Sequence, residues 1–221
     1  MIRTLLAVVA AGILLAPGAV RAAGGSCHCF RDREYDPARP AASDVYLLAT
    51  ASNTFLAAVA GIPKGEIVQA RMSGTSGEDL WIAAHVARRR GGDARAVLQA
   101  RATAPSWREF FRTGGADPER LGPRFVAALV SGAPDAALAR IAAAEALAER
   151  VGIPWEQLDT LAGAGASYQE TIVAAFIGTW ARQPALRVLE AARAGAGWSS
   201  QLAALGKVPK QMEAEIPASL R

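Results

Sequence analysis

Gly61-Ile62-Pro63 recurs as Gly152-Ile153-Pro154, 91 positions further along the chain. The same shift, without a gap, places Asp44 on Asp135, Leu47 on Leu138 and Leu56-Ala57 on Leu147-Ala148. It continues through Gly74 on Gly165, Ser76 on Ser167, Ala83-Ala84 on Ala174-Ala175 and Val97-Leu98 on Val188-Leu189. Trp107 on Trp198, Gly115 on Gly206 and Pro118 on Pro209 close the series. About twenty identities over roughly 77 positions at one fixed offset are the mark of a tandem repeat. Alanine-rich composition inflates such a count, but paired Gly-Ile-Pro and Trp matches are not cheaply met by chance. The expected fold is all-α, an internally duplicated helical bundle of two repeats of about 90 residues, packed about a pseudo-twofold axis.

Each repeat reads as helices. Leu48, Ala51, Phe55, Ala58 and Ile62 recur at steps of three and four, the spacing of one helix face. Gly61 then supplies the left-handed residue that ends a helix, and Pro63 suits the first turn of the next. Gly152, Ile153 and Pro154 repeat the device. Ser76 three before Asp79, and Ser167 three before Glu170, are helix starts, the second a full capping box because Glu is long enough to reach back. Ser106, three before Glu109, is another. No stretch alternates apolar and polar residues for long, so no sheet is expected. The five tryptophans, Trp81, Trp107, Trp155, Trp180 and Trp198, are expected to supply much of the core's bulk, because alanine buries little area.

Upstream of the repeats, Arg3, an apolar run from Leu5 to Leu15, Pro17-Gly18 and Val20-Arg21-Ala22 make a secretory leader over residues 1–22. Its apolar run is shorter than the roughly 20 residues that span a bilayer. The expectation is export to a bacterial periplasm with a mature start near Ala23. Membrane association would follow only from an uncleaved leader or from lipidation of Cys27. The organisation expected is leader 1–22, an N-terminal segment 23–43 containing Cys-x-Cys, a first repeat 44–118, then a linker and second repeat over 119–221.

Of the 221 residues, 52% are hydrophobic and 20% charged, which excludes a wholly disordered chain. The formal charge of +4 comes from 24 basic residues, nearly all arginine, against 20 acidic ones, with Arg88-Arg89-Arg90 the one basic run. Without a longer basic stripe or a recognition motif, nucleic acid is not an expected partner. The elbow of a Ser hydrolase fails at Glu78, where Gly is needed, and no metalloprotease, phosphate-loop or dinucleotide motif occurs. Carboxylates such as Glu66, Glu78, Asp79 and Glu170 could serve a glycan hydrolase, but nothing marks out a pair.

Positions held by both repeats are explained by the scaffold. Positions held by one only are the better functional candidates: Cys27-His28-Cys29 with Phe30 to Arg33, then Tyr46, Asn53, Lys64, Trp81 and His85. Phe176 stands where a second His85 would be. Three chemistries compete for the cysteines. An ordinary disulfide is common in exported chains. A bridge between residues two apart is strained and exchangeable. Two thiolates and an imidazole suit copper or zinc, with His85 as a candidate fourth ligand beside Cys27, His28 and Cys29. His85 is equally a core histidine, and Arg31 to Asp36 a charged linker or an anion site. The expected function is an exported binding or scaffold protein for a protein or small-molecule ligand, with its site near Cys27-His28-Cys29. The alternative is a periplasmic thiol-redox or copper- or zinc-handling protein.

Overall fold

A computed structural model describes residues 30–221. Among them twelve α-helices, a 3-10 turn over 118–121 and a π turn over 192–196 account for the regular structure, and no strand occurs. The first five helices are α1 (Asp44–Ala60), α2 (Lys64–Met72), α3 (Gly77–Arg90), α4 (Ala94–Arg101) and α5 (Trp107–Arg112). After α6 (Pro123–Ser131) come α7 (Asp135–Arg150), α8 (Trp155–Gly163), α9 (Tyr168–Ala181), α10 (Ala185–Ala191), α11 (Trp198–Ala204) and α12 (Pro209–Ala218). Both bounds of α2 and α8, and both bounds of α3 and α9, lie 91 residues apart. None of the described helices is long and apolar enough to cross a membrane.

The helix ends follow from their residues. Gly61 and Gly152 adopt φ of 66° and 83°, a region that side chains disfavour. Carbonyls of the preceding turn accept from the N–H groups that follow: Ala57 from Ile62, and Leu147 from both Gly152 and Ile153. Pro63 differs from expectation by one residue: with ψ at 132° it is extended and stands just before α2, which opens at Lys64. Ser76, Ser106 and Ser167 each accept an N–H from the residue three further on. Only Ser167 has the reciprocal bond, from its own N–H to Glu170.

Four helices form the centre. Residues 50–57 of α1 and 171–178 of α9 are buried without interruption, although Thr50, Ser52, Asn53 and Thr54 in the first and Thr171 in the second are polar. α1 packs on α9, and α7 packs on α3, so the first helix of each half rests on the third helix of the other. Alanines at Ala51, Ala139, Ala142 and Ala174 leave these axes room to approach. Large rings fill the seam: Phe55 meets Trp81 and Phe176, each at 5.6 Å between centroids. Trp107 and Trp198 are buried as well, whereas Trp155 and Trp180 lie half-buried at the margin.

The stretch between the halves is more than a linker. Pro123 opens α6, whose Phe125 is fully buried and which packs on α7. At the other end of the chain, α12 packs on α1. Asp44 also ties the halves together, accepting from the N–H groups of Trp198 (2.9 Å) and Ser199 (2.7 Å) at the start of α11. Position 197 is a glycine with no side chain to cap that helix, while its counterpart Ser106 caps α5 unaided. Asp44→Ala should therefore cost about 1–2 kcal/mol, the worth of a lost cap, measured as a lower urea midpoint. Asp135→Ala should cost less, because α5 has its own cap.

Candidate functional site

Tyr46, Thr50 and Asn53 fall on one face of α1 at steps of four and three. Lys64 enters from the first residue of α2, Glu213 from α12, and Phe30 with Arg33 from the N-terminal segment. Together with Ala49 and Val68 they line a cleft of about 180 Å³. That is room for one compact solute.

The polar wall of the cleft is one connected network. Lys64 Nζ lies 2.9 Å from Glu213 Oε2 and donates to Thr50 Oγ1 at 2.7 Å. The Thr50 hydroxyl donates to Glu213 Oε1 (2.9 Å), which also accepts from Tyr46 Oη (3.2 Å). Burial pushes the Glu213 carboxyl up, but the bonds from Lys64 and Thr50, the Lys64 charge and the Tyr46 hydroxyl outweigh it and hold it below the usual carboxylate range. Glu213 is therefore ionised and the pair intact at neutral pH. Tyr46 moves the other way, raised by burial and then by the Glu213 charge, so it stays a phenol. Phe30, Ala49 and Val68 supply the apolar lining. Phe30 meets Tyr46 edge-on at 5.4 Å, and the Arg33 guanidinium lies 5.8 Å from the same ring.

A second cleft lies at the corresponding place in the other half, lined by Arg140, Ile141, Ala144, Trp155 and Asp159 with Arg124 from α6. Its chemistry is different. The Arg124 guanidinium sits 4.0 Å above the Trp155 ring and is held there by both oxygens of Asp159. Where one cleft has Thr50, Asn53 and Lys64, the other has Ile141, Ala144 and Trp155.

Thus Tyr46, Asn53 and Lys64, separated by sequence reasoning only as residues without a counterpart, meet in one place. Thr50 and Glu213 were missed. Thr50 was legible from its place on the face between Tyr46 and Asn53. Glu213 lies beyond the end of the internal alignment, which gives no comparison there.

His85 is not in this cleft. It is buried in α3, its ring stacked on Phe125 at 4.5 Å, and Nε2 lies 2.9 Å from the Leu121 carbonyl. A carbonyl only accepts, so Nε2 carries the proton. Nδ1 has no hydrogen-bond partner and stands 3.8 Å from Glu145 Oε2, beyond bonding distance. Burial, with the charges of Arg88 and Arg89 acting the same way, lowers its pKa to about 4 against the opposing Leu121 bond and Glu149 charge. Glu145 in turn is bonded by Arg89 at 2.6 Å, and Glu149 pairs with Arg88 and Arg89. Of the four residues expected as soft-metal ligands, Cys27, His28 and Cys29 lie outside the described residues. Among the described residues no group of three His, Cys, Asp or Glu side chains is arranged to hold a metal. Trp81, also held by one half only, is a core side chain whose Nε1 donates to Ser52 at 3.3 Å.

No protein-family model, curated protein or solved structure matches the chain.

Proposed function

We propose that this is an exported binding protein, built by duplication of a helical unit of about 90 residues, that holds a small ligand in the cleft between α1, α2 and α12. One observation carries the assignment. Tyr46, Asn53 and Lys64, none of them repeated at the 91-residue offset, line a single cleft, and its counterpart, a wider cleft of about 330 Å³, presents a tryptophan under an arginine where they stand. The coincident helix bounds and the exchanged packing of α1 on α9 and α7 on α3 support the duplication. A duplicated scaffold needs neither cleft to be polar, so the polar one is where selection for a ligand would act.

Export rests on the leader, and terminal sequencing of protein recovered from the periplasm tests it. A start near Ala23 is expected; recovery in the membrane with Met1 retained would contradict it. For the ligand, a small-molecule screen by NMR on that protein should perturb Tyr46, Thr50 and Asn53. Hits confined to other surfaces would contradict the cleft.

A second reading is favoured by one covalent fact: Cys29 is bonded directly to Phe30, whose ring closes the cleft against Tyr46. In that reading Cys27, His28 and Cys29 bind copper or zinc or exchange disulfides beside the ligand. A bridge between residues two apart closes almost no loop and removes little entropy from the unfolded chain. The Cys27→Ser, Cys29→Ser double variant should then keep its thermal midpoint while losing bound metal or thiol reactivity. Protein that carries neither metal nor a reactive thiol before mutation would sink this second reading.

A further inference from the structure

Asn53 is the clue to what the cleft takes. It is 6% exposed, yet its side-chain amide makes no hydrogen bond with any described residue. It is among the residues that line the cleft. Its polar atoms are not sealed off, so a polar group that enters the cleft can pair with them in place of water. Lys64 offers a second valence: of its three N–H donors, one goes to Thr50 and one to Glu213, which leaves one. Both Glu213 oxygens are already taken by Tyr46, Thr50 and Lys64. Lys64 therefore keeps one N–H and Asn53 its NH2 group for an acceptor that enters the cleft. Behind them Phe30, Ala49 and Val68 give an apolar wall.

We infer that the ligand is a compact monocarboxylate on a short apolar body, its carboxylate held by the Lys64 ammonium and the Asn53 amide. This rests on the cleft being the ligand site. The counterpart cleft lacks both groups, with Trp155 and Ala144 in their places, and its arginines are engaged, Arg124 by Asp159 and Arg140 by the Ala166 carbonyl, so the ligand is expected in the first cleft.

Calorimetric titration of the mature protein with sodium propionate, in carboxylate-free buffer, tests the inference. The neutral isostere propionamide is the control. Propionate should bind at one site and propionamide at least tenfold more weakly. Asn53→Leu, of similar size, should weaken propionate at least tenfold. Since Asn53 holds no other described group, the variant's thermal midpoint should be no lower than wild type, which separates lost binding from lost folding. Equal binding of the two probes would overturn the carboxylate while leaving the cleft as a polar ligand site. Propionate binding untouched by Asn53→Leu would overturn it too. If neither probe binds but another compound perturbs Thr50 and Asn53 by NMR, the carboxylate is wrong and the cleft stands. If no compound perturbs them, both fail.

Discussion

Trp107→Ala should destabilise the fold by about 3–5 kcal/mol, the range for removing a large aromatic from a packed core. The side chain is fully buried. Its ring meets Phe110 at 5.4 Å and Phe111 at 5.9 Å, and the Arg101 guanidinium lies 5.4 Å from its face. Nε1 donates to Asp79 Oδ1 at 2.7 Å, while the other Asp79 oxygen takes the Ser76 hydroxyl at 2.7 Å. Alanine would open a cavity and strip the carboxylate at the start of α3 of one donor. Trp107→Phe keeps most of the volume and loses the donor, so it should cost roughly 1–2 kcal/mol, and the pair of variants separates packing from hydrogen bonding. Urea unfolding measures both. An unmoved midpoint for the alanine variant would mean that α5 is not anchored through this ring.

The second large effect is a pH dependence centred on His85. Its folded pKa of about 4 lies below the ordinary 6.5, so the unfolded chain takes up a proton that the folded chain refuses. The contribution to stability is complete above about pH 6.5 and is lost as pH falls toward 4, a change of about 3 kcal/mol at 1.36 kcal/mol per unit. Glu145 works in the opposite direction. Burial raises its carboxyl, and the folded state gains relative to the unfolded one as that group protonates. The histidine's loss should still dominate, because its ring is the more deeply buried and its protonation places a cation near Arg88 and Arg89. His85→Phe copies the residue at position 176 and should flatten the stability profile between pH 6.5 and 4. A variant with the same slope as wild type would assign the acid sensitivity to other groups.

The fold was legible where a local rule had a local cause. Gly61 and Gly152 end helices because glycine accepts a left-handed backbone without a side-chain penalty, and Ser76, Ser106 and Ser167 cap the helices they precede. The stretch over 114–132 was harder, since its glycines and prolines read as a connection. Yet Phe125, Val126 and Leu129 share a face spaced by three and four, and Phe125 finds a place under Phe111 and His85. The Asp44 cap of α11 joins residues more than 150 positions apart, which no periodicity reveals. The cleft was half legible. Absence of a counterpart singled out Tyr46, Asn53 and Lys64, but it singled out Trp81 and His85 equally, and those two are core. Internal comparison finds what differs between halves. It does not say whether the difference serves a ligand or a neighbouring ring, and only the packing of α12 on α1 separates the two.

The most direct test of the account follows backbone amide signals of the mature protein as sodium propionate is added. Shifts concentrated at residues 46–53 and 64–68 and around Glu213, with the Arg124 and Trp155 region unmoved, are the predicted result. Equal shifts at both clefts, or shifts confined to surfaces away from α1, α2 and α12, would contradict it.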